Sequence, residues 1–465
     1  MTDWNRNRRL SAMSRLGLLV GIFVFAANET PGGETARPSS NEENKLIVHE
    51  WGTFTSFSGS NGVALDFRPL INNDLPEFVE DRQSQFGVSI LSKGRIRARV
   101  RMETPVTYFY TNEELTIRAS VEFPEGLLTE FYPPVARMLP PYKPALEGKV
   151  LKGSMLDWGE VHLIPTARLA PNVSDPQTRQ WMAQLIEQKI LQHDTQPNHY
   201  YHARETDSAL VHVRHPKQND PLMIKPQGDY IEKFLFYRGV GRFDQLLQAT
   251  LSDGDLIHVT NSSRHTIRSL FRVTVSNKTL ACSEIPLLKA GASATFSKDA
   301  DQINLEQLQK RMAEALVREN LYPREAAAMV KTWADSWFAE EGTRIFYMVP
   351  REDTDRLLPL TISPSPAETV RVLVGRLEVM SPSVEKQLID IVRAHAARRS
   401  ELMKEDKKEG KATTVPIPGE LLKLGRLAEP ALVRVRELAG DDAVSREADL
   451  LLSECRVALD QSLVD

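Results

Sequence analysis

At Asn304 the hydrophobic repeat of this chain changes from two residues to 3.6, and that change most restricts what it can fold into. Before it, Leu46–Phe57 is rich in β-branched and aromatic residues and ends in the turn cluster Ser58–Gly62. Arg95–Thr111 alternates Ile96, Ala98, Val100 and Met102 with four arginines and leads through Asn112–Glu114 into Leu115–Phe123, which predicts a hairpin with one wet face. Gly153–Ile164, Lys233–Val240, Leu246–Asn261 and Ser269–Leu288 continue the strand pattern, and a helix from Ser174 to His193 interrupts it. After Asn304, the stripes Leu305, Leu308, Met312, Leu316 and Ala326, Val330, Trp333, Trp337 predict a helical hairpin with Pro323 opening its second arm. Strands return at Thr343–Val349 and Val370–Val379, and a long helix starting at Ser381 and Pro382 becomes highly charged from Arg398 to Lys411. The expected class is α+β multidomain: a β-rich, sandwich-like region over 45–300, then a mainly helical region with a short returning strand pair over 301–411, then a helical segment over 412–465.

Length supports two or three cores, and 41% hydrophobic against 26% charged residues is ordinary globular composition. With 58 basic and 62 acidic residues, the net charge of -4 supplies no basic field for nucleic acid. Cys282 and Cys455 are the only cysteines, so neither a disulfide framework nor a cysteine zinc site organises the fold. Arg6, Arg8, Arg9 and Arg15 precede the apolar run Leu16–Ala27, with small residues at the cleavage positions, which reads as a secretory signal peptide over 1–27. That run is shorter than the roughly 20 residues a membrane span needs, so no integral span is expected after cleavage. Residues 28–44 read as a disordered tether. Removing the first 27 residues leaves 54 basic and 61 acidic residues, a soluble and mildly acidic exported protein in the periplasm or cell envelope.

The common catalytic signatures fail on inspection. His49-Glu50-Trp51-Gly52-Thr53 begins like a zinc-protease HExxH, but Thr53 stands where the second histidine belongs. Gly239-Val240-Gly241 lacks the third glycine of a dinucleotide fingerprint, and no GxSxG elbow occurs. Five of the ten histidines, His193, His199, His202, His212 and His215, fall within 23 residues. If Asn198 caps a short helix, His199, His202 and Glu205 lie near one face, and with Asp207 they form a candidate set for a divalent metal such as zinc. His212 and His215 fit less well, because an offset of three on a strand sends them to opposite faces. Surface packing of the same histidines is the alternative. Glu50, Glu103 and Glu130 sit inside apolar strands, where they need arginine partners, and Arg99, Arg101 and Arg238 are available. Glu50 and Glu103 are the candidate acid-base residues, with ion pairs at strand ends as the structural alternative.

The runs His49–Ser56, Arg101–Tyr110, Ala203–Asp207, Lys233–Val240 and Asp355–Thr361 resemble those of uncharacterised exported bacterial proteins of planctomycete type carrying an HEWGTF motif. The resemblance spans about residues 45–400 and implies export and a shared architecture, with no catalytic residue. Gly419–Asp465 resembles a single HEAT-like repeat unit, which must pack on something else because a free-standing solenoid needs about three. The leading expectation is an exported, non-catalytic binding protein with a protein or cell-envelope ligand, displaying Trp51, Tyr108 or Tyr110 on an exposed sheet face. The alternatives are a metal-assisted hydrolase or lyase using the histidine cluster and a structural envelope protein.

Overall fold

Ile47–Ser58 forms β1, the strand on which the rest of the architecture is built. The computed structural model describes residues 45–67, 75–81, 98–140, 153–166, 184–188, 190–215, 228–252, 256–297, 300–409, 415–424 and 427–461. The expected signal peptide and tether lie outside these residues, as does most of the expected helix Ser174–His193, of which 184–187 are helical. Further strands are β2 Glu80–Asp81, β3 Val100–Tyr110, β4 Leu115–Phe123, β5 Gly126–Tyr132, β6 Arg137–Leu139, β7 Ser154–Ile164, β8 Leu210–His215, β9 Gly228–Glu232 and β10 Leu235–Gly241. They continue with β11 Leu247–Ser252, β12 Leu256–Asn261, β13 Ile267–Ser276, β14 Thr279–Leu288, β15 Ser293–Thr295 and β16 Asp301–Gln302. Next come α1 Leu305–Arg318, α2 Pro323–Phe338, β17 Gly342–Met348, α3 Arg351–Leu357, β18 Leu360–Ser363 and β19 Glu368–Val379. The chain ends in α4 Pro382–Glu409, α5 Gly419–Lys423, α6 Ala428–Leu438 and α7 Asp442–Gln461. The β-rich part followed by helices is the expected α+β class.

Among the described residues, a ten-stranded sheet runs in the order β16-β14-β13-β17-β19-β1-β3-β10-β5-β2. A second sheet has the order β18-β4-β7-β8-β9 with β6 on β7, and a third has β11-β12-β15. Inside the large sheet β1 pairs antiparallel with β3 and parallel with β19. The returning strands β17 and β19 do pair with each other, but as central members of the large sheet. The expected hairpin from 95 to 123 does not form: β3 lies in the large sheet between β1 and β10, while β4 pairs with β7 and β18 in the second sheet. Accordingly β3 is buried on both faces, whereas β4 alternates buried and exposed residues.

Two cores cover the two faces of the large sheet. On one face, Val48, Phe54, Met102, Leu373 and Leu377 pack with Ile117, Val121, Leu156 and Trp158 of the second sheet and with Leu247 and Val259 of the third, a sandwich-type arrangement. On the other face, Trp51, Tyr108, Val372 and Val374 pack beneath Leu308, Met312 and Leu316 of α1 and Met329, Trp333 and Trp337 of α2. These helices are the expected hairpin. A capping box at Asn304 and Gln307 starts α1, and Pro323 sits in the first turn of α2. Side chains of β1 alternate between the two cores until a register shift against β3 between Trp51 and Thr53. Gly52 lies at that shift, where a Cβ would stand 3.0 Å from Pro105. A third core joins Leu388 and Val392 of α4 to Leu432 and Val435 of α6 and Val444 and Leu451 of α7. No helix among the described residues is long and apolar enough to cross a membrane.

Candidate functional site

Glu50 is fully buried in β1 and its carboxylate is saturated with donors. Thr107 Oγ1 donates at 3.0 Å from β3, Tyr237 OH at 2.5 Å from β10, and Arg371 Nε at 2.7 Å from β19. Arg371 also donates from Nη1 to Asp355 Oδ1 of α3 at 2.8 Å. Burial and then the Glu50 charge push the Tyr237 phenol far above its usual range, so it stays a donor. Glu103 accepts from Thr55 Oγ1 at 2.7 Å and lies 3.3 Å from Arg101 Nε. Glu130 stands opposite Arg238 in the β5–β10 register. Arg99, the third cation expected for this group, pairs instead with Asp66 and Asp244. Thus Glu50 and Glu103 do not share one cleft as an acid-base pair; each is held by its own neighbours.

The other half of the His49-Glu50 pair points to the opposite face. His49 Nδ1 lies 2.8 Å from Glu325 Oε2 of α2, and the same carboxylate accepts from Tyr110 OH at 2.7 Å and Tyr322 N at 2.8 Å. Trp51 and Tyr108 are fully buried under the helices, and Tyr108 donates to Ala203 O at 2.7 Å, while Tyr110 is half-buried. The expected exposed aromatic face on these three residues is therefore absent, because α1 and α2 cover it.

Asn198 does cap a short helix, a 3-10 turn over His199–Arg204, by accepting from Tyr200 N. Three residues per turn set His199 and His202 on one side. Their side chains go to separate partners: the His199 ring lies 5.7 Å from Trp333, and His202 Nδ1 lies 3.2 Å from Glu205 Oε1. Glu205 accepts from Lys331 Nζ at 2.6 Å, and Asp207 pairs with Arg324. Although burial raises the Glu205 pKa, the bonds from Lys331 and His202 hold it below the ordinary carboxylate range. His212 meets Asp229 at 2.9 Å, His215 meets Pro134 O at 2.8 Å, and His193 stacks on Tyr201. Among the described residues no three His, Cys, Asp or Glu side chains converge to hold a metal ion. The histidine segment instead supports a buried ion pair that spacing does not announce, Arg204 on Glu232, with the guanidinium 5.0 Å from the Tyr201 ring centroid.

The open space lies elsewhere. A cavity of about 870 Å³ is lined by Arg99, Asp244, Gln248, Arg264 and Arg356 among others, and a second of about 390 Å³ by Arg268, Glu319, Arg351 and Arg371. His265 and Glu352 line both, so the two cavities adjoin, and together they are termed the cleft. Most of its charges are already paired: Arg356 with Glu125 and Asp353, Arg351 with Asp355, Arg371 with Glu50. Ser263 Oγ, which accepts from His265 N, donates to Asp353 and fixes the loop between β12 and β13. Half-burial pushes the Glu319 carboxyl up despite the nearby Arg268 charge. Polar spacing gave no sign of this cleft, because its walls come from eight stretches of chain between Gly62 and Val372.

No family model matches the chain, and no curated relative matches it. Among solved structures it is similar to the yeast delta-COP-I mu-homology domain, alone and complexed with a Dsl1 WxWxV peptide. Each is 8% identical with a TM-score of 0.22, covering 73% of this chain and 97% of the domain. A similarity that low carries no argument about fold or function.

Proposed function

We propose that this chain is an exported, non-catalytic binding protein whose ligand occupies the cleft between Gly62 and Val372. The observation that carries the proposal is how the ionisable groups are used. The carboxylates and histidines that could serve as acid, base or metal ligand are tied to structural partners, whereas the cleft holds open volume lined by polar groups. Within the cleft Arg351, Arg356 and Arg371 are held by carboxylates, and a polar lining fixed in this way suits recognition of a ligand. Export rests on the arginine-led apolar run before Ala27 and has its own check: the mature N-terminus, read by mass spectrometry of natively expressed protein, should be Asn28.

The binding proposal is tested by thermal unfolding of the full chain against a panel of peptides, saccharides, nucleotides and organic acids. A true ligand at 100 times its Kd stabilises by about 2.7 kcal/mol. That shift should vanish in Arg264→Glu or Gln248→Ala for a ligand of the larger cavity, and in Arg268→Glu for one of the smaller. A panel without any shift argues for the structural envelope role. Hydrolysis of a chromogenic ester or phosphate that is abolished by EDTA and by His199→Ala/His202→Ala would replace the proposal with the metal-assisted one.

A further inference from the structure

We propose that the smaller cavity receives an extended peptide, which adds as a short strand to the free edge of β19; this rests on the binding role above and names its ligand class. β19 runs from Glu368 to Val379, but β17 pairs with it only between Val379 and Val374. Val349 N still donates to Leu373 O at 2.9 Å, and then Pro350 turns the chain into α3. From Glu368 to Val372, β19 therefore has β1 along one edge and, among the described residues, no strand along the other.

The direction of the main-chain groups on that edge follows from two contacts. Leu373 O accepts from Val349 N, and Thr369 O accepts from Arg351 Nη1, so both carbonyls point away from β1. Residues two apart on a strand present their N–H and C=O to the same side, so Arg371 between them also turns its main-chain donor and acceptor into the cavity. Thr369, Val370, Arg371 and Val372 all line that space. Across from them, β13 begins with a bulge: its register against β17 shifts between Arg268 and Phe271, and Ser269 takes a positive φ of 49°. That bulge sets Arg268 at the rim.

The wall chemistry selects a main chain over a small anion. Arg371 and Arg351 are neutralised by Glu50 and Asp355, and Glu319 and Glu352 face the same space, so little net positive charge remains for phosphate or sulfate. The complementary groups left are an amide and a carbonyl spaced for a neighbouring strand, with Val370 and Val372 beside Met348 and Val349 for alternate side chains. On this edge the Thr369 carbonyl is held by Arg351 Nη1, so Arg371 is the residue whose amide and carbonyl are left to pair with a short extended segment. Arg268 and Glu319 at opposite signs suit a peptide that carries both charges.

A phage-displayed library of random nine-residue peptides, selected on the full chain, supplies the probe. Enriched sequences are synthesised in three forms: unmodified, and N-methylated on either alternate set of residues. Strand addition requires that one N-methylated form bind at least tenfold more weakly while the other stays within about twofold, because only one set of amides faces β19. It also requires that exchange of the Arg371 amide slow at least tenfold on binding and that Arg268→Glu weaken the peptide. Equal effects of the two N-methylated forms, an unprotected Arg371 amide, or no enriched sequence overturns the inference. If the thermal panel meanwhile yields a stabilising non-peptide ligand, the binding role stands without it; if neither assay finds a ligand, both fail.

Discussion

Glu50 and Arg371 show how one buried ion pair sets the centre of this molecule. Both side chains are almost wholly removed from water, and the pair persists because Thr107, Tyr237 and Asp355 satisfy the remaining polar groups. Glu50→Gln should cost about 3 kcal/mol in urea unfolding by leaving the buried guanidinium with Asp355 as its remaining carboxylate. Adding Arg371→Met should recover part of that loss, and equal losses in the single and double variants would show that the pair is not coupled. Glu50 was legible as a buried carboxylate needing an arginine, but the partner stands 321 positions away and nothing local points to it. Lys233 is a second buried charge site: burial pushes its amine down to about 7, and the group donates to Ser208 O. The folded chain then holds fewer protons than the unfolded chain, whose lysine titrates near 10.4, so stability should rise with pH from about 7 upward. Between pH 7 and 9, below the range where tyrosines ionise, wild type should gain stability relative to Lys233→Met, and parallel pH curves would refute this.

At the scale of elements, β17 and β19 meet through a glycine. Gly375 faces Tyr347 across the pair, and a Cβ there would lie 2.1 Å from the ring. Gly375→Ala should therefore displace Tyr347 and destabilise by about 1–3 kcal/mol, and a Tyr347→Ala background should remove most of the difference between glycine and alanine in chemical denaturation. The helical hairpin of α1 and α2 was readable because a 3.6-residue stripe and its caps are local signals. Strand partners were not: β3 and β4 follow each other and both read as strands, yet they belong to different sheets. Periodicity reports which side of a strand is wet and says nothing about what lies across it. The histidine segment was equally legible as a short capped helix, but where its side chains go depends on Trp333, Lys331 and Arg324 of α2. The cleft was illegible for the same reason, being made of loop ends brought together only by the sheets.

Across the whole molecule, the terminal helices meet the β-rich part through Met380 and Leu427, packed against Phe57, Leu65 and Phe67, and through one buried carboxylate. Glu385 of α4 accepts from Arg434 Nε of α6 at 2.7 Å, and from Ser60 N at 2.8 Å and Ser60 Oγ at 2.6 Å at the end of β1. Gly59 lets Arg434 approach, since a Cβ there would lie 2.6 Å from its Nε. The core shared by α4, α6 and α7 touches the β-rich part only at its margin, through Met380, so the polar fastening can be loosened while both sheet cores stay intact. Glu385→Ala should speed amide exchange in α6 and α7 by tenfold or more while β1, β3 and β10 keep wild-type protection. Uniform acceleration across the sheets would show instead that the helices and the β-rich part unfold as a unit.

The parallel pairing of β1 with β19 also fixes an order in time. A chain made from its N-terminus completes β1 early, yet the strand that covers one of its edges begins 321 residues later. At ~5–20 residues per second this is a wait of tens of seconds. During it, the side chains of Val48, Trp51 and Phe54 and the bare carboxylate of Glu50 have no finished core to enter. The middle of the large sheet therefore cannot close before the chain exists through Val379, however early its first strand is made.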